Sequence, residues 1–332
     1  MDTKISTHET TLDPDLSLRA VTWEDVKPIA QLILDVCIAD GDPTVTTTEE
    51  EIRRFWSSSD FNIETDAWVV ETGEGRIVGY QEYFCKHAHA AMVGDGYVHP
   101  EFHELGIGTT MLRTLERRAR QEMELAQPGV RVFIRNGIAG NDAAAGELHE
   151  NEGYQAIRFS WHMEIELQEE PQVPPFPNGI NLRPFLLEEH NHALYEAHEE
   201  AFSDHWGHVR GTFESWNHHM IDRENFDPSL FFIAWDGDQI AGYSLCRYRM
   251  GSGWVGTLGV RRPWRKRGLG EALLLHSFSE FYHRGTRTIG LGVDAQNPTG
   301  ATRLYKKAGM QVASEMVVYE KELRPGRESD EE

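Results

Sequence analysis

The residues of clearest chemical meaning lie between positions 260 and 270, where cations precede two glycines. The cations are Arg261, Arg262, Arg265, Lys266 and Arg267, and glycines follow at positions 268 and 270. Glycine lets the backbone approach an anion closely, and a helix N-terminus presents unpaired N–H groups to that anion. Arginine adds charge-assisted hydrogen bonds to phosphate oxygens. Because a predicted strand precedes this segment and a predicted helix follows it, the pattern predicts a pyrophosphate-binding loop.

Two other phosphate-binding motifs fit this segment poorly. A dinucleotide-binding turn has a third glycine and an acidic residue about 20 positions later, within a strand–helix–strand unit. Here the third glycine is absent, cations precede the motif, and three hairpin-like strands come before it. The P-loop pattern GxxxxGK[ST] does not occur anywhere in the sequence. The loop therefore belongs to another class of anion site.

The chain also repeats itself. Four segments of the first half recur in the same order in the second half, namely 17–25 as 181–189, 76–80 as 239–243, 103–108 as 265–270 and 141–154 as 297–310. A repeat of this length predicts a tandem duplication of one domain. The predicted parts are a first domain over 14–170, a proline-rich linker over 171–179, a second domain over 180–323 and an acidic tail over 324–332.

Local patterns in the second half predict the elements around the loop. Alternating apolar and β-branched residues flank Asp236-Gly237-Asp238, which is typical of a β-hairpin. Apolar residues at helical spacing predict a helix over 270–284, and a shorter helix over 299–308 stops before Gly309. Hairpins early in the domain and crossovers late predict an α/β fold with a mixed sheet flanked by helices.

Composition excludes several classes of protein. The 332 residues are 39% hydrophobic and carry a formal charge of −22, which disfavours nonspecific binding to nucleic acid or anionic membranes. No apolar run approaches the roughly 20 residues that cross a bilayer. A polar, acidic start and three dispersed cysteines (Cys37, Cys85 and Cys246) predict a cytoplasmic protein without disulfides. The close histidine pairs lack a metal-ligand spacing, so no metal is expected.

Two patterns in the second half resemble those of the GCN5-related N-acetyltransferases. The first is Arg265-x-x-Gly268-x-Gly270, which matches the [RQ]xxGx[GA] signature of that superfamily. The second is the downstream pattern formed by Asn297, Ala301, Leu304, Tyr305 and Gly309. The resemblance extends over both halves, and the presence of two such domains in one chain is similar to the mycothiol synthases.

This resemblance implies a sheet splayed between its fourth and fifth strands, with acetyl-CoA in the gap. Backbone groups of Leu258, Gly259 and Val260 would bind the thioester carbonyl and the pantetheine. The pyrophosphate would be held by Arg265, Lys266, Arg267, Gly268, Leu269 and Gly270. Asn297 would bind the pantetheine arm, and Tyr305 would protonate the departing thiolate. The expected reaction is direct acetyl transfer to a small-molecule primary amine, without a metal, by a monomer or homodimer.

The first half departs from the family pattern. His103 replaces the arginine or glutamine of the signature, and His149 replaces the tyrosine. The loop HPEFHELGIG contains two glutamates and neither lysine nor arginine, so it would repel a pyrophosphate. Gly106 and Gly108 remain, which leaves backbone binding of a cofactor open. We expect a degenerate domain that supports the architecture or shapes the acceptor site.

The general base is not evident from the sequence. Residues 253–260 contain no carboxylate, and Trp254 stands about where the mycothiol synthases have a glutamate. The candidates are Asp294, after the next strand, and Asp204, His205 and His208 in the segment SDHWGHVRG. The missing base leaves a second hypothesis open, a CoA-binding or ligand-sensing protein without turnover.

Overall fold

The structure, a computed structural model, describes residues 11–328 except 59, 88, 207, 209, 223–225 and 298. The chain forms two compact units: unit 1 comprises the described residues up to Phe159 and those from Ser314 onward, and unit 2 comprises the described residues from Ser160 to Ala313. Among the described residues, none of the helices combines the length and apolar character that crossing a membrane requires.

Unit 1 is a six-stranded mixed sheet with helices on both faces. Its strands, in spatial order, are β1 (Leu16–Ala20), β2 (Ala67–Thr72), β3 (Ile77–His87), β4 (Ala91–Val98), β5 (Val132–Ala139) and β12 (Gln311–Arg324). Its helices are α1 (Val26–Ala39), α2 (Glu49–Trp56), α3 (Ile107–Met123) and α4 (Ala143–Asn151). Neighbouring strands are antiparallel except β4 and β5, which run parallel.

Unit 2 has the same arrangement. Its strands, in spatial order, are β6 (Gln155–Glu166), β11 (Thr288–Asp294), β10 (Ser252–Val260), β9 (Gln239–Arg249), β8 (Phe231–Asp236) and β7 (Ile180–Arg183). Its helices are α5 (Leu187–Phe202), α6 (Phe213–Met220), α7 (Leu269–His283) and α8 (Ala301–Lys307). Only β10 and β11 are parallel neighbours. The predicted mixed α/β fold is confirmed.

Both sheets split between the fourth strand and the fifth. In unit 1, the parallel pairing ends where Gly94 faces Asn136. In unit 2, only Gly253 and Trp254 pair with β11, at Ile289 and Gly290. Beyond these points the strands diverge, and their facing backbone groups no longer bond to each other. The splayed sheet predicted by the resemblance is therefore present twice.

The last strand of each unit comes from the other half of the sequence. β12 pairs with β5 from Met316 opposite Ala139 to Arg324 opposite Val132. β6 pairs with the whole length of β11, from Ser160 opposite Asp294 to Glu166 opposite Thr288. The compact units thus differ from the predicted halves 14–170 and 180–323. A sequence repeat records the order of elements along the chain, whereas strand partners are selected by packing between distant segments.

Adjacent residues in each strand feed two separate cores because their side chains point to opposite faces. In unit 1, Val69 packs with α1 and α2, whereas Val70 packs with α3. In unit 2, Ile233 joins the core beneath α5 and α6, and its neighbour Ala234 joins the core beneath α7. Burying one large apolar side chain contributes about 1.5–3 kcal/mol. This burial holds the strands on either side of each gap in place.

Candidate active site

A β-bulge interrupts β10 just before the predicted cofactor segment. Val255 lies opposite Cys246 and Thr257 opposite Leu245, so Gly256 has no partner residue in β9. A bulge bends its strand and redirects the backbone groups that follow it. Leu258, Gly259 and Val260 come after the bulge, where β10 has already lost its pairing to β11. In unit 1, by contrast, β4 pairs with β3 without a break from Met92 to Val98.

Gly259 accommodates an aromatic ring from the neighbouring strand. A Cβ at this position would lie 2.3 Å from Cζ of Tyr243, which is fully buried. The hydroxyl of Tyr243 lies 3.3 Å from Nδ1 of His198 on α5. Burial, followed by the charge of Glu199, raises the pKa of Tyr243 well above its usual range. Glycine at position 259 therefore makes room for the ring of Tyr243, and it would also let a cofactor approach the backbone.

The glycine loop of unit 2 is open. Gly268 has φ +82° at the start of α7, and a Cβ there would meet no atom within 4 Å. Lys266 also has a positive φ, of +61°. These conformations turn the chain so that the first N–H groups of α7, at Leu269 and Gly270, have no intrahelical partner. Such groups, with the positive end of the helix dipole, are suited to an anion.

Arg265 is used within the protein. Its Nε donates to the carbonyl of Val260 at 3.0 Å, and Nη2 donates to the carbonyl of Ala201 at 2.9 Å. Its Nη1 lies 3.2 Å from Asp204. Lys266 and Arg267 are exposed and form no ion pair in the part of the chain that the structure describes. Arg265 thus closes the loop, while the next two cations remain available to an anionic ligand.

Tyr305 lies within α8, the helix that follows β11, and Asn297 lies in the turn before that helix. Oδ1 of Asn297 accepts hydrogen bonds from the N–H and the hydroxyl of Thr299, which shapes the turn before α8. Tyr305 is buried, and its hydroxyl has no hydrogen-bond partner in the described ranges. Burial raises the pKa of Tyr305 to about 12. The phenol therefore keeps its proton at neutral pH and can donate it.

The candidate bases influence one another electrostatically, but they differ in how well they can accept a proton. Hydrogen bonds from Arg262 and then Arg265 lower the pKa of Asp204, which makes this exposed carboxylate a weak proton acceptor. Burial, followed by the charges of His208 and Arg265, lowers the pKa of His205. Asp294 partly offsets this effect, so these groups share one neighbourhood. Oδ1 of Asp294 also accepts a hydrogen bond from the N–H of Gln296.

Helix α5 adds two side chains that sequence reasoning missed. Glu199 is buried, and its Oε2 lies 3.2 Å from Nε2 of His208. Burial lowers the pKa of His198 to about 4, so this imidazole is neutral near pH 7. In the sequence, the segment HEEAF (198–202) looks like an ordinary solvated helix face. Only tertiary packing shows which of its charged residues turn inward.

The corresponding loop of unit 1 is covered. A Cβ at Gly106 would lie 2.4 Å from the carbonyl oxygen of Thr11, and the N–H of Asp13 donates to the carbonyl of Leu105 at 3.0 Å. Residues 11–13 therefore pack directly on this turn. Gly108 makes room for Leu148, since a Cβ there would approach that side chain to 2.9 Å.

His149 is also occupied within unit 1. It is buried, with Nδ1 at 2.7 Å from the carbonyl of Ala145 and Nε2 at 3.0 Å from the side-chain amide of Asn136. Burial lowers its pKa. Both ring nitrogens thus face protein groups, unlike the hydroxyl of Tyr305.

The fold and this site agree with comparisons to known proteins. One model, for the acetyltransferase (GNAT) family, matches residues 191–310, and another, for an acetyltransferase (GNAT) domain, matches residues 64–156. A solved GCN5-related N-acetyltransferase from Sphaerobacter thermophilus is 35% identical, has a TM-score of 0.81, and aligns over 96% of this chain and 99% of that one. The chain belongs to the GCN5-related N-acetyltransferase family and is an acyltransferase with two such domains.

More specific similarity is found to mycothiol acetyltransferases. The protein of that name from Mycolicibacterium vanbaalenii is 25% identical over 320 residues, which cover 90% of this chain and 97% of the relative. Its counterpart from Catenulispora acidiphila is 26% identical over 79% of this chain and 84% of its own. A tandem GNAT protein from the clavulanic acid biosynthesis pathway shares the fold, with a TM-score of 0.71 at 17% identity over 94% of this chain and 99% of its own. The predicted tandem architecture is therefore confirmed.

Proposed function

We propose that unit 2 transfers an acetyl group from acetyl-CoA to a primary amine of a small molecule. The observation that carries this assignment is the contrast between the two glycine loops. Gly268 borders open space and exposed cations, whereas Gly106 is packed against Thr11. A pyrophosphate needs close access to backbone N–H groups and positive charge, and of the two loops only that of unit 2 offers both.

Acetyl transfer would proceed by direct attack. The neutral amine attacks the thioester carbonyl carbon, and the new C–N bond forms as the C–S bond breaks. Backbone N–H groups of β10 after the bulge would stabilise the negative charge on the carbonyl oxygen. Tyr305 would donate its proton to the departing sulfur, since its phenol is protonated and has no partner in the described residues. A base takes the proton that the amine loses.

For that base we favour His205 over the carboxylate candidates. Its pKa is lowered, so the ring is neutral and can accept a proton near pH 7. Asp204 is paired with two arginines, and Asp294 caps the turn after β11. The similarity to mycothiol acetyltransferases supports a small-molecule amine acceptor for a cytoplasmic enzyme, without identifying that amine.

A second candidate function is acyl-CoA sensing without turnover. It is favoured by one observation: Trp254 stands about where the mycothiol synthases have a glutamate, and its ring lies 5.1 Å from that of His162. In that case the cofactor would bind at the same loop, and no acceptor would release free CoA.

The decisive experiment measures free thiol release from acetyl-CoA by the full chain. The acceptor panel comprises an amino sugar, an aliphatic diamine and an amino acid amide. We expect release with at least one amine, and a loss of about 10²–10⁴ in rate for Tyr305→Phe at unchanged acetyl-CoA affinity. His149→Ala is the matched control and should retain turnover.

Two results would contradict this assignment. Acetyl-CoA binding without thiol release for any acceptor would favour the sensor. Wild-type turnover in Tyr305→Phe together with its loss in His149→Ala would place catalysis in unit 1.

A further inference from the structure

Unit 1 contains a cavity of about 530 Å³ that the proposed acetyl transfer does not use. It lies where β4 and β5 diverge, and its wall includes the end of α1, the N-terminal part of α4 and the segment 314–316. A space of this size accommodates a small organic molecule.

The wall of this cavity is strongly acidic. Its carboxylates are Asp40, Asp42, Asp95, Asp142 and Glu315. Neither lysine nor arginine occurs among the described residues that line it. Carboxylates in a poorly solvated space repel one another and any anionic ligand. The cavity therefore disfavours a polyphosphate and favours a cation.

Three of the five carboxylates accept hydrogen bonds from other protein groups, and for Asp95 the donor is the hydroxyl of Tyr97. Asp42 accepts from the N–H and hydroxyl of Thr44 and from the hydroxyl of Ser314. Asp142 accepts from the N–H of Ala145 at the start of α4. The carboxylate of Asp40, by contrast, is half-buried and accepts no hydrogen bond within the described residues. Burial, followed by the charge of Asp142, raises its pKa.

Gln81 is a second, independent feature of the cavity, to which it presents a hydrogen-bond acceptor. Its side chain is only 5% exposed and lines the cavity. Nε2 donates to the backbone carbonyls of Glu82 at 3.0 Å and Asp95 at 2.8 Å, which fixes the orientation of the amide. Oε1 then has no donor in the part of the chain that the structure describes. Oε1 is therefore a hydrogen-bond acceptor open to the cavity, and a bound N–H group can donate to it.

The neighbouring side chains reinforce this demand. The hydroxyl of Tyr97 donates to Asp95 at 3.0 Å, and that of Tyr80 donates to Glu82. Burial and the proximity of Asp95 raise the pKa of Glu82. These acids have phenols as partners where a buried carboxylate ordinarily has a cation.

We propose that this cavity binds a small aliphatic diamine, with one ammonium group at Asp95 and the amide oxygen of Gln81 and the other at Asp40. Two separated carboxylates call for two positive charges, and each ammonium supplies three N–H donors. The site lies in unit 1 and so extends beyond the proposed acetyl transfer in unit 2. It gives the half with the non-matching loop a ligand of its own.

The test is isothermal titration calorimetry of the full chain with 1,5-diaminopentane at fixed ionic strength. Its neutral analogue 1,5-pentanediol is the ligand control. We expect the diamine to bind and the diol not to bind. Asp40→Asn and Gln81→Leu should each weaken the diamine about tenfold or more, which corresponds to about 1.4 kcal/mol. Asp35→Asn, on helix α1 but outside the cavity, should bind like wild type.

Two further arms separate this site from the acceptor site of unit 2. Diamine binding should survive in Gly268→Val and Tyr305→Phe, whatever happens to catalysis. Circular dichroism melting of each variant checks that it is folded. The proposal is overturned if the diol binds equally well, if a folded Asp40→Asn variant binds normally, or if binding disappears in Gly268→Val.

Discussion

The guanidinium of Arg265 donates a 3.0 Å hydrogen bond to the backbone carbonyl of Val260. The signature arginine therefore joins the end of β10 to the turn that precedes α7. Its second bond, to the carbonyl of Ala201, attaches the same turn to the end of α5. These contacts separate two roles that the sequence pattern assigns to one cationic run: shaping the loop and contacting the anion.

Substitution of Arg267 and of Arg265 should have different consequences. Arg267 is exposed without an ion pair in the described residues, so Arg267→Ala should weaken acetyl-CoA binding about tenfold and leave the melting temperature unchanged. Arg265→Ala should lower both affinity and melting temperature, because three protein acceptors lose their donor. Calorimetry and thermal melting of both variants check this. Equal melting temperatures would show that Arg265 does not position the loop.

The two glycine loops should also respond differently. Both Gly268 and Gly106 have φ near +80°, so valine at either position introduces backbone strain of about 1–2 kcal/mol. Gly268→Val should abolish acetyl-CoA binding, whereas Gly106→Val should destabilise the protein by its clash with Thr11 and leave affinity nearly unchanged. Titration calorimetry at a temperature well below both melting points distinguishes them. Equal losses of affinity would mean that the two loops share the cofactor role.

The pH dependence of turnover should reflect the burial of Tyr305. A general acid acts in its protonated form, so its contribution is lost as pH rises through its pKa, about 12 here rather than the usual value of about 10. With saturating acceptor, kcat should therefore not fall between pH 8 and about 10.5. A stopped assay for free thiol measures the profile. A decline centred near pH 10 that disappears in Tyr305→Phe would contradict the raised pKa.

The packing of β12 in unit 1 should contribute to the free energy of unfolding. Tyr319 of β12 is buried in the core of unit 1, 5.3 Å from the ring of His149. Tyr319→Ala should destabilise the protein by about 3–5 kcal/mol, as for other buried aromatic side chains. Val312→Ala, at an exposed position of the same strand, should change stability by less than about 0.5 kcal/mol. Chemical denaturation measures both, and a neutral Tyr319→Ala would show that β12 is dispensable to unit 1.

Local patterns were sufficient for many of the elements. The helix predicted over 270–284 is α7, Leu269–His283, because apolar side chains at helical spacing determine which face is buried. The turn predicted at Asp236-Gly237-Asp238 joins β8 to β9, with Gly237 at φ +57°. The spacing of residues was likewise sufficient to single out the glycine loop and Tyr305 as candidate site residues. Their part in cofactor binding and proton transfer remains a prediction.

The sequence by itself determined that two similar α/β domains lie in one chain and that one of them has a cationic glycine loop. These are properties of residue order and type, which survive in any conformation. Only the tertiary structure decided that β6 joins the sheet of unit 2 and that β12 joins the sheet of unit 1. It also decided that Thr11 covers Gly106 and that Asp40 and Gln81 line the same cavity. The physical reason is that strand pairing, burial and electrostatic environment arise between segments far apart in sequence, where no local pattern records the partner.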